Sequence, residues 1–302
     1  MRRRARALAT ISVLAVAGLA LAWGMSTPHP LTAAELPAHT PDVANGKLLF
    51  NAAGCLSCHK PDAALAGSDA SLPSGGSPFK TPLGTFYPPN LTPDPATGIG
   101  SWTDLDFVNA VQRGISPEGQ NLIPAFPYTS YARMKTSDVL DIKAYLDSLP
   151  PVVSAEKQAE IPLPWLIRRG VGLWKHIGFD TAQWTPDDKQ TADWNLGAYI
   201  ANGAGHCNEC HTPRNALMVF DWNRQFAGGP HPGGEGKVPS LRDLVGRGKY
   251  SDAADLASAL QNGEMMGYEH LSSGGMGEVQ TNLSKLPGNY VQALADYIAS
   301  LK

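Results

Sequence analysis

The chain has 302 residues, of which 43% are hydrophobic, 17% charged and 8% aromatic, with a formal net charge of −3. That is enough apolar chain for two folded domains, and it excludes a disordered, charge-rich tail protein. Glycine (31) and proline (25) make up about a fifth of the residues, a density that long uninterrupted helices or a large barrel do not tolerate, and four cysteines are too few for a disulfide scaffold.

The amino terminus opens with Arg2, Arg3, Arg4 and Arg6, and then runs apolar to about Met25. Residues 1–34 read as a membrane anchor or a signal peptide, with the arginines kept in the cytoplasm and everything after them across the membrane. The apolar run is close to the ~20 residues that span a bilayer, which favours the anchor. An Ala-x-Ala pattern at Ala20 and Ala22 lacks a polar stretch before it. Without residues 1–34 the net charge becomes −7, which speaks against nucleic acid as a partner.

Beyond this segment one order of features occurs twice. Thr40-Pro41-Asp42 predicts a helix start, and GCLSCHK (54–60) follows; Thr185-Pro186-Asp187-Asp188 predicts another, ahead of HCNECHT (206–212). Downstream, SWTDLDFVNAVQRG (101–114) and KYSDAADLASALQNG (249–263) are helical patterns stopped by glycine. Each copy closes on an amphipathic helix, SDVLDIKAYLDSL (137–149) and NYVQALADYIASL (289–301). No strand periodicity is evident, so the expected fold class is all-α. Pro150-Pro151 ends the first copy, and residues 152–186 form a connector in which Arg168, Arg169, Lys175 and His176 are expected to be solvated.

Both cysteine pairs have the form Cys-x-x-Cys-His. Two thiols three positions apart on a helical turn can bind the two vinyl groups of a haem, and the next residue then offers its imidazole to the iron. Competing readings are a four-sulfur zinc site, two local disulfides or a thioredoxin-like redox pair. None of these needs histidine directly after the second cysteine, and here it occurs twice.

The chain resembles the two-haem class I cytochromes c, and in particular the cytochrome subunits of bacterial periplasmic alcohol, aldehyde and sugar-acid dehydrogenases. Besides the haem motifs, the resemblance rests on NLTPDPATGIGSW (90–102), PAFPYTSYARM (124–134), AYLDSLP (144–150), CHTPRNAL (210–217) and GGMGEV (274–279). It implies two tandem helical domains, residues 40–151 and 187–302, each wrapped around one covalent haem c, with first and last helices crossing at Gly46, Phe50 and Tyr145 in the first. Cys55, Cys58, Cys207 and Cys210 would attach the haems, and His59 and His211 would ligate iron. For the sixth position, Met276 matches the family's ligand slot in the second domain. In the first domain the family often has methionine where this chain has Phe126, which leaves Met134 as the candidate. The implied role is electron transfer, not enzymatic turnover, on the periplasmic side of the inner membrane. Electrons would pass from a dehydrogenase to an oxidase or a soluble cytochrome. The alternative is a two-haem peroxidase with an open first haem.

Overall fold

The structure is a computed structural model that describes residues 2–62, 68–81, 84–232, 236–263 and 275–302. Met265, Met266 and His270 lie outside them. Helix α1 (Arg2–Met25) is formed by the apolar run and leaves its large side chains, from Leu8 to Trp23, exposed. Its segment Arg6–Met25 is long and apolar enough to cross a membrane.

Next come α2 (Val43–Ala52), α3 (Cys55–His59), a hairpin of β1 (Phe79–Thr81) and β2 (Gly84–Phe86), α4 (Asp104–Val108), α5 (Tyr128–Tyr131) and α6 (Thr136–Asp147). α4 continues into a π-helical turn, Asn109–Arg113, and stops at Gly114 in the left-handed region (φ 58). The connector folds as α7 (Pro164–Gly178). The order then repeats: α8 (Ala192–Asn202), α9 (Asn208–His211), a hairpin of β3 (Gly229–Pro230) and β4 (Lys237–Val238), α10 (Ala253–Asn262), α11 (Gly275–Leu283) and α12 (Gly288–Ser300). α10 also ends on a left-handed glycine, Gly263 (φ 84).

Two sequence expectations about the elements need correction. The hairpins were not anticipated, because strands of two or three residues in glycine- and proline-rich loops carry no alternation to read. The helix starts also move. The Asp42 carboxylate accepts the backbone N–H groups of Ala44 and Asn45, so Asp42 caps α2 in place of Thr40. Likewise Thr191, six residues after Thr185, caps α8 by accepting the Trp194 N–H, while Asp187 closes a local turn onto the Lys189 N–H.

Each half is organised by one helix crossing, α2 on α6 and α8 on α12. At both, a glycine touches the facing backbone. A Cβ on Gly46 would lie 1.9 Å from the Asp141 carbonyl oxygen, and one on Gly197 would lie 1.9 Å from that of Ala293. Absence of a side chain thus lets the axes approach closely. Aromatic rings pack beside the contact: Phe50 and Tyr145 at 5.2 Å, Trp194 and Tyr297 at 5.0 Å. Val139, Ile142 and Leu146 on α6, and Leu294 and Tyr297 on α12, are buried on the predicted faces.

The first crossing has an additional polar lock. Asp141 is buried, and its carboxylate accepts from the Asp42 N–H (2.7 Å), Asn45 Nδ2 (2.7 Å) and His39 Nε2 (2.6 Å). Burial works against its charged form, but these donors prevail and hold the carboxyl below the usual carboxylate range. A carboxylate with a depressed folded pKa stabilises the fold above its unfolded pKa of about 3.9 and loses that contribution as pH falls through the folded value. Asp141→Ala is therefore expected to cost about 2–3 kcal/mol at neutral pH and progressively less in acid, read from denaturant midpoints across a pH series.

Lys175 and the two arginines of the connector depart from their expected solvated state. On α7, Lys175 Nζ donates to the carbonyls of Arg113 (2.7 Å) and Gly114 (2.9 Å) and to Asn121 Oδ1 (2.9 Å). His176 Nε2 donates to the Met25 carbonyl at 2.7 Å, and the Arg169 guanidinium lies 3.8 Å from the centroid of the Trp23 ring. Arg168 Nη1 reaches the Asn121 carbonyl at 3.3 Å. The basic side of α7 thus turns inward.

Candidate cofactor sites

The fold holds the histidine that closes each cysteine motif in the same way. His59 Nδ1 lies 2.8 Å from the carbonyl oxygen of Pro89, and His211 Nδ1 lies 2.8 Å from that of Pro239. A carbonyl only accepts, so each Nδ1 carries the proton and each Nε2 keeps a free lone pair. Burial pushes both imidazoles below their ordinary pKa and keeps them neutral, as a metal ligand must be.

The backbone repeats as well. The Gly75 N–H donates to the His59 carbonyl (2.7 Å), and the Gly228 N–H donates to that of His211 (2.8 Å). Both glycines are left-handed, with φ 74 and φ 72. A Cβ at Gly75 would lie 2.6 Å from the Pro88 carbonyl oxygen, and one at Gly228 would lie 2.5 Å from that of Val238. Only glycine lets the proline segment come this close to the histidine. In the first half, the buried side chains of Asn90, Thr92 and Asp94 secure the chain beyond Pro89: Asn90 Oδ1 accepts the Thr92 N–H at 2.9 Å, and Asp94 Oδ1 accepts that of Thr97 at 2.7 Å.

Neither proline was singled out from the sequence. A backbone carbonyl leaves no side-chain signature, and the only hint was the presence of prolines 30 and 28 residues after the two histidines.

Cys58 and Cys210 are exposed and Cys55 and Cys207 half-buried, and no disulfide joins them. Among the described residues no three histidine, cysteine, aspartate or glutamate side chains converge as a metal cluster, so the two pairs do not form a shared four-sulfur site. Each motif instead presents a thiol pair beside one imidazole with a free Nε2.

The family model for cytochrome c matches residues 43–150. A diheme cytochrome c-type protein of Cereibacter sphaeroides is 38% identical over 99% of this chain and 98% of its own length. The chain belongs to the cytochrome c family. Two further relatives of this cytochrome are longer. The fructose dehydrogenase cytochrome subunit of Gluconobacter japonicus is 31% identical over 98% of this chain, and the quinone alcohol dehydrogenase cytochrome c subunit of Gluconacetobacter polyoxogenes is 34% identical over 90%. This chain spans 59% of each of those two proteins.

The cytochrome binds haem c covalently and transfers electrons. Its residues fit that cofactor. The thiols and the lone pairs are those that haem c requires. Two buried donors, Trp184 Nε1 and Arg214 Nε, have no acceptor among the described residues, which suits a group bearing carboxylates.

Met276 lies in the first turn of α11, partly buried and packed on the core. The opposite face of α11 reaches the first motif, where Glu278 pairs with Lys60 (2.8 Å) and Asn282 Nδ2 donates to Ser57 Oγ (2.7 Å). Met134 is placed differently. It is fully buried, its carbonyl accepts from Gln112 Nε2 (2.8 Å), and a Cβ built on Gly203 would lie 3.3 Å from its Cγ. It thus fills the seam between the two halves. Phe126 is half-buried, 5.3 Å from the Tyr128 ring.

The same seam joins the approaches to both motifs. The Ala53 carbonyl, two residues before Cys55, accepts from Tyr131 Oη (3.0 Å) and from Nε2 of His206, the residue before Cys207 (3.3 Å). Glu209, inside the second motif, accepts from Thr129 (2.5 Å) and Ser130 (2.7 Å) of the first half and pairs with Arg214.

Proposed function

We propose that this cytochrome holds two haems in tandem class I domains, residues 40–151 and 187–302, joined by the connector 152–186. It carries electrons from a dehydrogenase to a respiratory oxidase or soluble carrier on the periplasmic side of a bacterial inner membrane. The observation that carries this reading is the repeated histidine cradle: proline carbonyl on Nδ1, left-handed glycine on the backbone carbonyl, and Nε2 left free. Haem c, when bound, supplies reversible one-electron exchange at its iron.

Cys55 and Cys58 attach one haem, and Cys207 and Cys210 the other. His59 and His211 ligate the irons through Nε2, while Pro89 and Pro239 fix the imidazole planes and tautomers. Met276, on the core-facing side of α11, is the sixth ligand of the second iron. The contacts of Ala53 with Tyr131 and His206 keep the approaches to the motifs adjacent, which suits transfer between the sites. The dehydrogenase donor is supported by the names of the longer relatives. These names, all cytochromes or cytochrome subunits, give the peroxidase alternative no support. α1 is retained as an anchor, since the residues at its end are built into the fold: Ser26 is buried, and its carbonyl accepts from Asn121 Nδ2 at 3.1 Å.

Met134 we assign to packing. Its full burial against Gln112 and Gly203 supports that assignment. Met134→Ala is expected to lower stability by about 2–5 kcal/mol while leaving the far-red methionine-to-iron charge-transfer band of the oxidised protein intact. Loss of that band would instead make Met134 a ligand. Isolation of the intact complex from membranes tests the functional reading, which requires a dehydrogenase subunit that reduces this cytochrome on addition of its substrate.

A further inference from the structure

Helix α7 carries its polarity the wrong way round for a helix on a water-soluble surface. Its apolar residues Leu166, Leu173 and Ile177 share one stripe at helical spacing and are 51%, 38% and 60% exposed. Trp165, in the first turn, is also 61% exposed. The opposite side carries Arg168, Val171, Gly172 and Lys175 against the protein, with the Lys175 ammonium on two backbone carbonyls and an amide oxygen. Burial and the neighbouring Arg113 lower that ammonium to about 8. A helix that turns its cations inward and its leucines outward faces a medium less polar than the protein surface behind it.

The position of α7 identifies that medium. It is fastened to the last turn of α1. A Cβ on Gly172 would lie 2.2 Å from the Ser26 carbonyl oxygen, His176 donates to the Met25 carbonyl, and Arg169 stacks on Trp23 and donates to Ser26 Oγ at 3.1 Å. Twenty helical residues rise about 30 Å, the thickness of the hydrocarbon layer. With the arginines of the first turns on the cytoplasmic side, Trp23 and Met25 therefore reach the opposite boundary, and α7 reaches it with them. A second apolar feature lies alongside. Trp174 Nε1 donates to the Leu217 carbonyl (3.0 Å), and that tight turn presents Leu217 (61% exposed) and Met218 (52% exposed, φ 59) at its tip.

We propose that α7 is an interfacial membrane helix. It lies in the outer headgroup boundary with Leu166, Leu173 and Ile177 in the acyl region, and with α1 it gives the cytochrome a second attachment that fixes the orientation of its haem-binding halves to the bilayer. This rests on the reading of α1 as a retained anchor, and the test separates the two.

With the four native cysteines consumed by haem attachment, an added cysteine is the sole thiol for a nitroxide label. Full-length Leu173→Cys, Ile177→Cys, Leu14→Cys and Asp180→Cys proteins are placed in anionic phospholipid nanodiscs. Collision of each label is measured with oxygen, which concentrates in lipid, and with a water-soluble nickel chelate. The labels at 173 and 177 should collide several-fold more with oxygen than with the chelate, as should that at 14, and the label at 180 should show the reverse. Greater collision with the chelate at 173 and 177 overturns the proposal, whatever position 14 reports. So does shielding from both reagents, which would mean that a protein covers the stripe. A label at 14 that is cleaved off or faces water overturns the anchor, and 173 and 177 still decide for α7.

Discussion

Gly197→Val is expected to prevent the second half from forming its helix crossing. Even one carbon at this position would lie 1.9 Å from the Ala293 carbonyl oxygen and 2.9 Å from the Tyr297 Cβ. Neither is the mobile end of a flexible side chain, so α8 and α12 must separate. Separation uncovers Ala198, Ala201, Leu294, Tyr297 and Ile298, each less than 10% exposed in the closed crossing. Overpacking of this kind costs on the order of 3 kcal/mol or more, a large fraction of the 5–15 kcal/mol that holds a typical domain together. The measurement is guanidinium unfolding followed by Soret circular dichroism, in which the variant should lose its cooperative transition or move it far below that of the wild type. Gly46→Val should do the same to the first half, because its clash with Asp141 is the same. Gly288→Ala is the control: no heavy atom lies within 4 Å of a Cβ there, and the change should stay within about 0.5 kcal/mol. An unchanged midpoint in Gly197→Val would mean that the crossing is not the contact that holds this half.

His211→Ala is expected to have the second large effect, confined to one site. It removes the imidazole that closes the Cys207–Cys210 motif and leaves the Pro239 carbonyl without its donor. The second iron should lose its low-spin spectrum and the methionine charge-transfer band that depends on Met276. Its potential should shift by on the order of 0.1 V or more, since axial ligation sets haem potentials over about 0.8 V. The site at His59 stays as an internal reference, and added imidazole should restore a low-spin spectrum if the cradle is otherwise intact. Gly228→Val is a milder form of the same test. By pushing the segment of Val238 and Pro239 away, it should loosen the imidazole without removing it. A full charge-transfer band in His211→Ala would assign the iron to another residue.

Much of this was legible in the chain because the signals were local. The two Cys-x-x-Cys-His motifs, the glycine stops at Gly114 and Gly263, and the buried faces of α6 and α12 depend on residues within a turn or two of one another. The contact of Gly46 with the closing helix, a long-range feature, was available only because the family resemblance supplied the crossing. Other features left no such mark. Pro89 and Pro239 act through backbone carbonyls and would be equally silent as any other residue. The expected start at Thr185 was six residues early, because the cap that leads directly into the packed face of α8 is Thr191. Met134 was a candidate by elimination among few methionines, and counting could not show that Gly203 lies against it. The inward turn of Arg168, Arg169 and Lys175 was missed, because the orientation of α7 depends on where α1 ends.

The proposed function requires two haems, each attached through its own cysteine pair. Denaturing intact-mass measurement tests it most directly, since thioether bonds survive conditions that release every non-covalent cofactor. The wild-type chain should carry the mass of two haems. The variant with Cys55→Ala and Cys58→Ala should carry one, and so should the variant with Cys207→Ala and Cys210→Ala. A wild-type mass with fewer than two haems, or a double variant that keeps both, would contradict the account.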